Sequence, residues 1–296
     1  MNFERVWDLL KTTFKEWQDD EASLLAAALS YYTAVSVAPL LVVAIVVAGL
    51  FLNNQESART ELLQQIESAV GPQGTEFIAG VIENADQPNT GTIAGLLSIA
   101  TLLWASTNLF SQLQTSLNKI WDVERKPGSI LSTIRERFFS FSLVLGIGFL
   151  LLVSLVLSAA LTVLGDSFSH LLPGAAWLWQ VVNFAVSFGV ITLLFGLIYK
   201  ILPDAEIAWR DVWLGAAVTA LLFTVGKSLL GLYLANAGSS YGAAGSLVVF
   251  LLWVYYSAQI LFMGAEFTQV YASKYGSGIK PAANAISTNQ EVHSAA

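Results

Sequence analysis

The stretch that decides the fold is Ala243–Tyr271, AAGSLVVFLLWVYYSAQILFMGAEFTQVY, which is long, apolar and interrupted by one charged residue, Glu266. A helix needs about 20 mostly apolar residues to cross the hydrocarbon core of a bilayer. The stretch exceeds that length, and it lacks the alternation of apolar and polar residues that is typical of a barrel strand. It therefore predicts a transmembrane helix.

Five more stretches of the chain have the same character, and together they predict an all-α, polytopic membrane protein. Lys227, inside the fifth stretch, is the other charged residue away from the ends of the predicted spans, since Lys200 is the last residue but one of the fourth. We expect the spans to form one membrane domain, 25–273. The predicted spans are about 29–52, 93–113, 138–165, 179–201, 212–234 and 243–271.

The composition agrees with this class. Of the 296 residues 55% are hydrophobic and 12% are charged, against about 25% charged in soluble domains. So little charge excludes a secreted enzyme, a cytosolic α/β domain and a disordered chain. The net charge of −7 argues against a nucleic-acid partner. With no cysteine and two histidines, we expect no disulfide, no metal centre and no cofactor.

The distribution of basic residues orients the predicted spans. Of the 14 lysines and arginines, 12 fall on the side that carries both termini, while Arg59 falls on the other and Lys227 lies within a span. Basic residues are retained on the cytoplasmic side of a membrane. Both termini are therefore predicted to be cytoplasmic.

Three segments flank the predicted spans. Residues 1–24 predict an amphipathic helix, which lies either at the membrane interface or packed on the bundle. Residues 53–91 predict an external loop of two helices hinged near Gly71-Pro72, whose acidic face is either solvated or attracts cations. The tail, 274–296, is predicted to be a disordered cytoplasmic segment. The apolar face of the first helix comprises Phe3, Val6, Trp7, Leu10, Phe14 and Trp17.

Polar residues near Glu266 form the candidate functional site, a polar cavity inside the bundle. Gln259 precedes Glu266 by seven residues and shares its helix face. The first span contributes Tyr31 and Tyr32, which follow Asp20 and Glu21 in the sequence. The second span contributes Asn108 and Gln112 at a similar predicted depth in the membrane. The set is either a path for a solute or proton, or interhelical hydrogen bonds that hold the bundle together. It comprises Tyr31, Tyr32, Asn108, Gln112, Gln259 and Glu266.

Lys227 does not extend this site directly, because it differs from Glu266 by about 10 Å in depth if both helices are straight. It either faces the bundle or extends outward to the interface. Pro39, Gly242 and Gly245 are predicted positions of a helix kink or of close helix packing.

Several motifs resemble the YihY/BrkB family of bacterial inner-membrane proteins, over about Trp7–Tyr275. The resemblance implies a multi-pass protein of the bacterial inner membrane with cytoplasmic termini. An old label of that family, ribonuclease BN, has no counterpart in a catalytic or metal-binding set of residues in this sequence. The motifs are 26–41, 108–121, 231–234, 241–261 and 264–267. The resemblance also singles out Lys227, just before the third of these motifs. The motifs include Tyr31, Tyr32, Pro39, Asn108, Tyr241, Gly242, Gly245, Gln259 and Glu266.

The sequence thus predicts a transporter or lipid-handling protein rather than an enzyme. Its expected partners are membrane lipids and a small solute or lipid substrate, with a homo-oligomer as a further expectation. The alternative is a structural or scaffold protein that supports the integrity of the cell envelope. A ribonuclease is the least favoured of the three.

Overall fold

A computed structural model describes residues 3–52, 55–85, 108–126, 176–237 and 244–288. These ranges are mostly helical, which agrees with the predicted all-α membrane class. The helices are α1 Phe3–Asp19, α2 Ala22–Leu52, α3 Gln55–Val70, α4 Pro72–Ala85, α5 108–120, α6 Ala176–Ile201, α7 Trp209–Ala237 and α8 Gly245–Lys274. The strands are β1 Val123–Arg125, β2 Ala205–Glu206, β3 Lys280–Pro281 and β4 Ala285–Ser287.

Three helices in the described ranges are long and apolar enough to cross a membrane, over Gln180–Ile201, Trp209–Tyr233 and Gly245–Lys274. They correspond to the fourth, fifth and sixth predicted spans. A shorter apolar helix, Ala22–Val37, lies in α2, which begins before the predicted start at residue 29. The third predicted span and most of the second, 93–107, lie outside the described residues.

Helices α6, α7 and α8 pack closely because small residues lie where they meet. A Cβ atom on Gly264 of α8 would overlap the hydroxyl of Thr219 in α7, and one on Gly215 would overlap that of Thr268. At the same level, the Tyr199 hydroxyl of α6 donates to the Leu261 carbonyl at 2.7 Å and lies 3.0 Å from the Thr219 hydroxyl. Small residues and interhelical hydrogen bonds are the usual means of joining helices in lipid.

Helix α1 packs against α8 through one face and leaves most of its apolar face exposed, while Trp17 of that face packs against the buried core. Leu9 and Thr13 are buried, and Lys274 Nζ at the end of α8 donates to the Asp8 carboxylate at 2.9 Å and the Thr12 hydroxyl at 2.8 Å. Contact of α1 with a membrane surface stays a prediction. The exposed apolar side chains are Phe3, Val6, Trp7, Leu10 and Phe14.

Helices α3 and α4 meet at Gly71, whose φ of 83° is a backbone conformation that favours glycine. Both pack on the end of the bundle opposite to α1. Phe77 of α4 lies against Phe250 near the start of α8, with ring centroids 5.2 Å apart. Val70, Ile78 and Ile82 are buried in the same apolar cluster as Phe250.

The prediction of a disordered tail is wrong for residues 275–288. Strand β4 pairs antiparallel with β1, and β3 pairs antiparallel with β2. The tail is ordered because it pairs with strands that lie far away in the sequence, a long-range contact that tail composition cannot reveal. We call α1 and residues 118–126, 202–208 and 275–288 the terminal layer. Residues 289–296 lie outside the described residues.

Candidate functional site

Glu266 is a fully buried charged side chain on a candidate membrane span, with 0% exposure. It lies near the end of α8, beside Ala265 in a buried apolar cluster. Ala22 and Ala26 at the start of α2 belong to that cluster and are likewise fully buried, as are Leu117 and Trp121 at the end of α5. Alanine at these two α2 positions permits the close approach of the helices that encloses the carboxyl group.

The polar group that faces Glu266 is a second carboxyl, that of Asp20 in the turn between α1 and α2. The two side chains are within hydrogen-bonding reach of each other. Among the described residues, no N–H or hydroxyl group donates to either carboxylate oxygen of Glu266. Two carboxyl groups form a hydrogen bond only when one of them carries a proton. A hydrogen bond between Asp20 and Glu266 would therefore need a proton on one of the two carboxyl groups.

Asp20 is partly buried, and burial raises the pKa of its carboxyl to about 6. The positive charge of Lys119 opposes this rise in pKa, the negative charge of Asp122 adds to it, the hydrogen bond with Glu266 opposes it, and Glu16 adds to it. Lys119 Nζ donates to the backbone carbonyl of Asp20 at 2.6 Å. Its other contact is with the Glu21 carboxylate at 3.7 Å. Lys119 is thus shared and does not neutralise the cluster.

Asp122 completes the acidic cluster from the end of α5. Burial raises the pKa of its carboxyl, against the effect of the hydrogen bond that Gln269 Nε2 donates at 3.2 Å. Asp122 and Glu21 have φ values of 53° and 55°. Non-glycine residues adopt this left-handed region rarely and at a cost, and such residues gather at functional sites. Both turns that bring acidic groups toward Glu266 thus contain a strained residue.

The other predicted cavity residues do not join this carboxyl pair directly. Gln259 shares α8 with Glu266, and its buried Oε1 accepts no hydrogen bond from the described residues. Gln112 donates to the Ser116 hydroxyl at 3.3 Å, and Asn108 is partly buried on the same helix. Tyr31 is 62% exposed and packs edge-on against Tyr32. A cavity lined by all six residues therefore stays a prediction.

The remaining predicted positions are spread along the bundle. The Lys227 side chain is exposed on α7. Pro39 lies inside α2, whose helix continues to Leu52, and the Pro39 side chain lies outside the described part of the structure. Gly245 is the buried first residue of α8, and Gly242 lies outside the described residues. Sequence reasoning did not single out Gly215 or Gly264, because a glycine at a helix contact looks the same in sequence as one facing lipid.

A second buried carboxylate, Asp204, holds the terminal layer together. It accepts hydrogen bonds from Asn118 Nδ2 and Asn284 Nδ2, both at 2.8 Å, and from Arg125 Nε at 3.2 Å. Its Oδ2 also lies 3.1 Å from Arg125 NH2, which makes an ion pair. Because its oxygens are well supplied with donors, Asp204 is an anchor between β1, the α6–α7 turn and the tail. Its position in a loop outside the spans left it unnoticed in the sequence.

In the part of the chain that the structure describes, no group of three or more histidine, cysteine, aspartate or glutamate side chains is arranged to hold a metal ion. The cluster around Glu266 brings carboxyl groups together as a pair with more distant negative neighbours. Its chemistry is that of carboxyl groups that compete for a proton.

Comparison with known proteins places this chain among one family of membrane proteins. A family model described as virulence factor BrkB matches residues 13–287. A UPF0761 membrane protein of Acinetobacter baylyi is 27% identical over 274 residues, which cover 89% of this chain and 62% of that relative. Another, of Alteromonas mediterranea, is 28% identical, covering 88% and 86% of the two chains.

A Bacillus subtilis protein named as ribonuclease-like, YfkH, is 25% identical, covering 87% of this chain and 92% of that protein. The present chain spans less than two thirds of the length of the Acinetobacter relative. No solved structure matches the chain.

Proposed function

The chain belongs to the BrkB family of multi-pass membrane proteins, and on that premise we propose that it moves a small solute or a lipid across or within the membrane. The observation that carries the proposal is Glu266, a fully buried carboxyl on a candidate span that accepts no hydrogen bond from a described donor group. Ionisable groups are costly at this depth and usually mark transport or proton pathways. A carboxyl kept only for packing would be expected to have donor partners.

The proposed setting is the bacterial inner membrane, with both termini in the cytoplasm. The excess of basic residues on the side of the termini supports this orientation. The terminal layer and the Asp20–Glu266 pair would then lie at the cytoplasmic end of the bundle. The proposed partners are membrane lipids and the transported solute or lipid.

We propose a non-enzymatic role, despite the ribonuclease-like name of one relative. The net charge of −7 opposes binding of an RNA backbone. The acidic cluster beside Glu266 would repel phosphates further.

Transport is tested with purified protein in proteoliposomes. Flux is measured for fluorescent phospholipids and for a panel of radiolabelled anionic, cationic and neutral solutes. We expect Glu266→Gln, and Gln259→Ala more weakly, to change the flux of at least one probe. Glu124→Gln, which alters an exposed carboxylate in β1, is the matched control and should leave flux unchanged. Flux of every probe that is the same in the wild type, the variants and empty liposomes would reject transport.

The alternative function, a scaffold for envelope integrity, is supported by one observation. Asp204 joins three segments that are far apart in the sequence into the terminal layer, and in this alternative that layer is the surface that a partner or a second copy would recognise. This alternative predicts an oligomer or a co-purifying partner after crosslinking in native membranes. A monomer with no partner, together with flux that depends on Glu266, would exclude it in favour of transport.

A further inference from the structure

We propose that the Asp20–Glu266 carboxyl pair is a binding site for one exchangeable proton, which Glu266 holds and Asp20 exchanges with water. The inference rests on the proposed function in one respect, because it makes the proton the ion that drives or gates the movement of the substrate. The binding of the proton itself stands on the full burial of Glu266, on the absence of a described donor to its two oxygens, and on the neighbouring Asp20 carboxyl.

The first step is that ionisation of both groups at once is unfavourable. They face each other within hydrogen-bonding reach, and Glu266 has no exposed surface. Two adjacent negative charges at such a site repel each other strongly, since little water is present to screen them. A single shared proton removes one of the charges and supplies the hydrogen bond that no described donor provides.

The second step concerns the groups that face the pair from each neighbouring element. Helix α1 contributes Glu16, and the turn after α5 contributes Asp122. Among the described residues, the cation beside the pair is Lys119, which also contacts the backbone of Asp20 and the side chain of Glu21. The surroundings are therefore acidic, and they favour the uptake of a positive charge.

The third step is the route of the proton. Glu266 is fully buried, whereas Asp20 is partly exposed at the turn that joins α1 and α2. A proton that leaves the Glu266 carboxyl transfers to the Asp20 carboxylate along their hydrogen bond and passes from there to water. Uptake follows the same steps in reverse, so proton number and charge balance at each transfer. Asp20 is thus the exchange group and Glu266 the storage group.

The fourth step distinguishes a proton from a metal cation. A metal site needs several oxygen ligands that converge on one point. In the described ranges, no three carboxylates are so arranged, and the pair provides two oxygen-bearing groups directly opposed to each other. A proton is the cation that two opposed carboxyl groups bind without further ligands.

The experiment is infrared difference spectroscopy of the full chain in nanodiscs, titrated across the neutral pH range in H2O and D2O. We expect a carbonyl band of a protonated carboxylic acid that shifts in D2O and disappears in Glu266→Gln. Asp20→Asn should keep an acid band but slow its exchange with deuterium. Glu124→Gln, a change in an exposed carboxylate, should match the wild type.

Loss of the band on addition of sodium or potassium ions at constant pH would overturn the proposal, because a metal cation would then displace the proton. The absence of an acid band in the wild type, or an unchanged band in Glu266→Gln, would also overturn it. If Glu266→Gln does not fold, the deuterium exchange of Asp20→Asn decides, and a rate equal to that of the wild type rejects the proposed route.

Proteoliposome flux separates this inference from the proposed function. A titrating acid band without any flux leaves the proton site in place and rejects transport. Flux that is independent of an imposed pH gradient, in a protein without the band, rejects the proton site and keeps transport.

Discussion

The carboxyl of Glu266, near the end of the last membrane helix, lies against the carboxyl of Asp20, in the first turn of the chain. This contact joins the amphipathic helix α1 to the membrane bundle through two acidic groups. Within the described ranges, the cation beside the pair is Lys119, which divides its contacts between the Asp20 backbone and Glu21. The environment of the Glu266 carboxyl inside the bundle therefore depends on Asp20, which lies outside the bundle.

The stability of the protein should depend on the titration of Asp20. Burial raises the pKa of Asp20 to about 6 in the folded state, so the folded state binds a proton more tightly than the unfolded chain does. Stability is then highest below the unfolded pKa, decreases as the pH rises toward 6, and levels off above it. We expect a decrease of about 1 kcal/mol, because partial exposure weakens the effect. Unfolding midpoints measured at several pH values provide the test.

Asp20→Asn is the matching variant for that measurement. It should remove most of this slope, and Asp19→Asn, at an exposed neighbouring position, should retain it. A slope that persists unchanged in Asp20→Asn would assign the effect to another group.

Gly264→Ala should destabilise the bundle, because its Cβ would overlap the Thr219 hydroxyl and approach that of Tyr199. Overpacking of this kind costs about 1–3 kcal/mol. The matched control is Gly231→Ala, where a Cβ atom meets nothing within 4 Å, and the change should be neutral or slightly stabilising through helix propensity. Thermal unfolding in detergent should separate the two variants. Equal midpoints would contradict the close packing of α7 and α8.

Tyr199→Phe should cost about 1 kcal/mol, since it removes the hydroxyl that donates to the Leu261 carbonyl and contacts Thr219. The ring keeps its edge-on contact with Trp121, so the shape of the core is preserved. Unfolding by a graded detergent mixture is a suitable assay. Tyr233→Phe, on the exposed side of α7, is the control, and it should have no effect.

Asp204→Ala should release the tail from the terminal layer. The change removes the carboxylate to which Asn118, Arg125 and Asn284 donate. Because the Arg125 side chain is 34% exposed, the loss of this carboxylate should cost about 1.5–3 kcal/mol. Limited proteolysis should then cut within 275–288, with the span helices intact. Asn284→Ala removes one of the donors and should cause a smaller increase in the rate of cleavage. If Asp204→Ala resists proteolysis as well as the wild type does, strand pairing alone holds the tail.

Much of the fold was readable from particular stretches of sequence. The apolar runs at 179–201, 212–234 and 243–271 match the three long apolar helices α6, α7 and α8. Residues 55–85 form two helices that meet at Gly71, as the helical spacing and the Gly-Pro pair predict. These features are predictable because each depends only on residues within one stretch, namely the length of an apolar run or the residues at a turn.

Glu266 was also predictable as a candidate site, because a charge inside an apolar run of that length stands out whatever the fold. Its partner was not. Asp20 and Asp122 lie in turns, where acidic residues are common and usually solvated. The ordering of the tail through β1 and β2 depends on contacts between residues that are far apart in the sequence.

The sequence by itself thus determined the membrane class, the long apolar helices and the presence of a carboxyl group in the last of them, since each follows from residues within one stretch. Only the tertiary structure decided which groups meet. Helix α1 and the turn after α5 approach the end of α8 and bring acidic groups near Glu266. Burial of the Asp20–Glu266 pair raises the free-energy cost of holding two negative charges there. This free-energy cost depends on residues from separate stretches of the chain, and it is the reason that we propose the pair as a proton site.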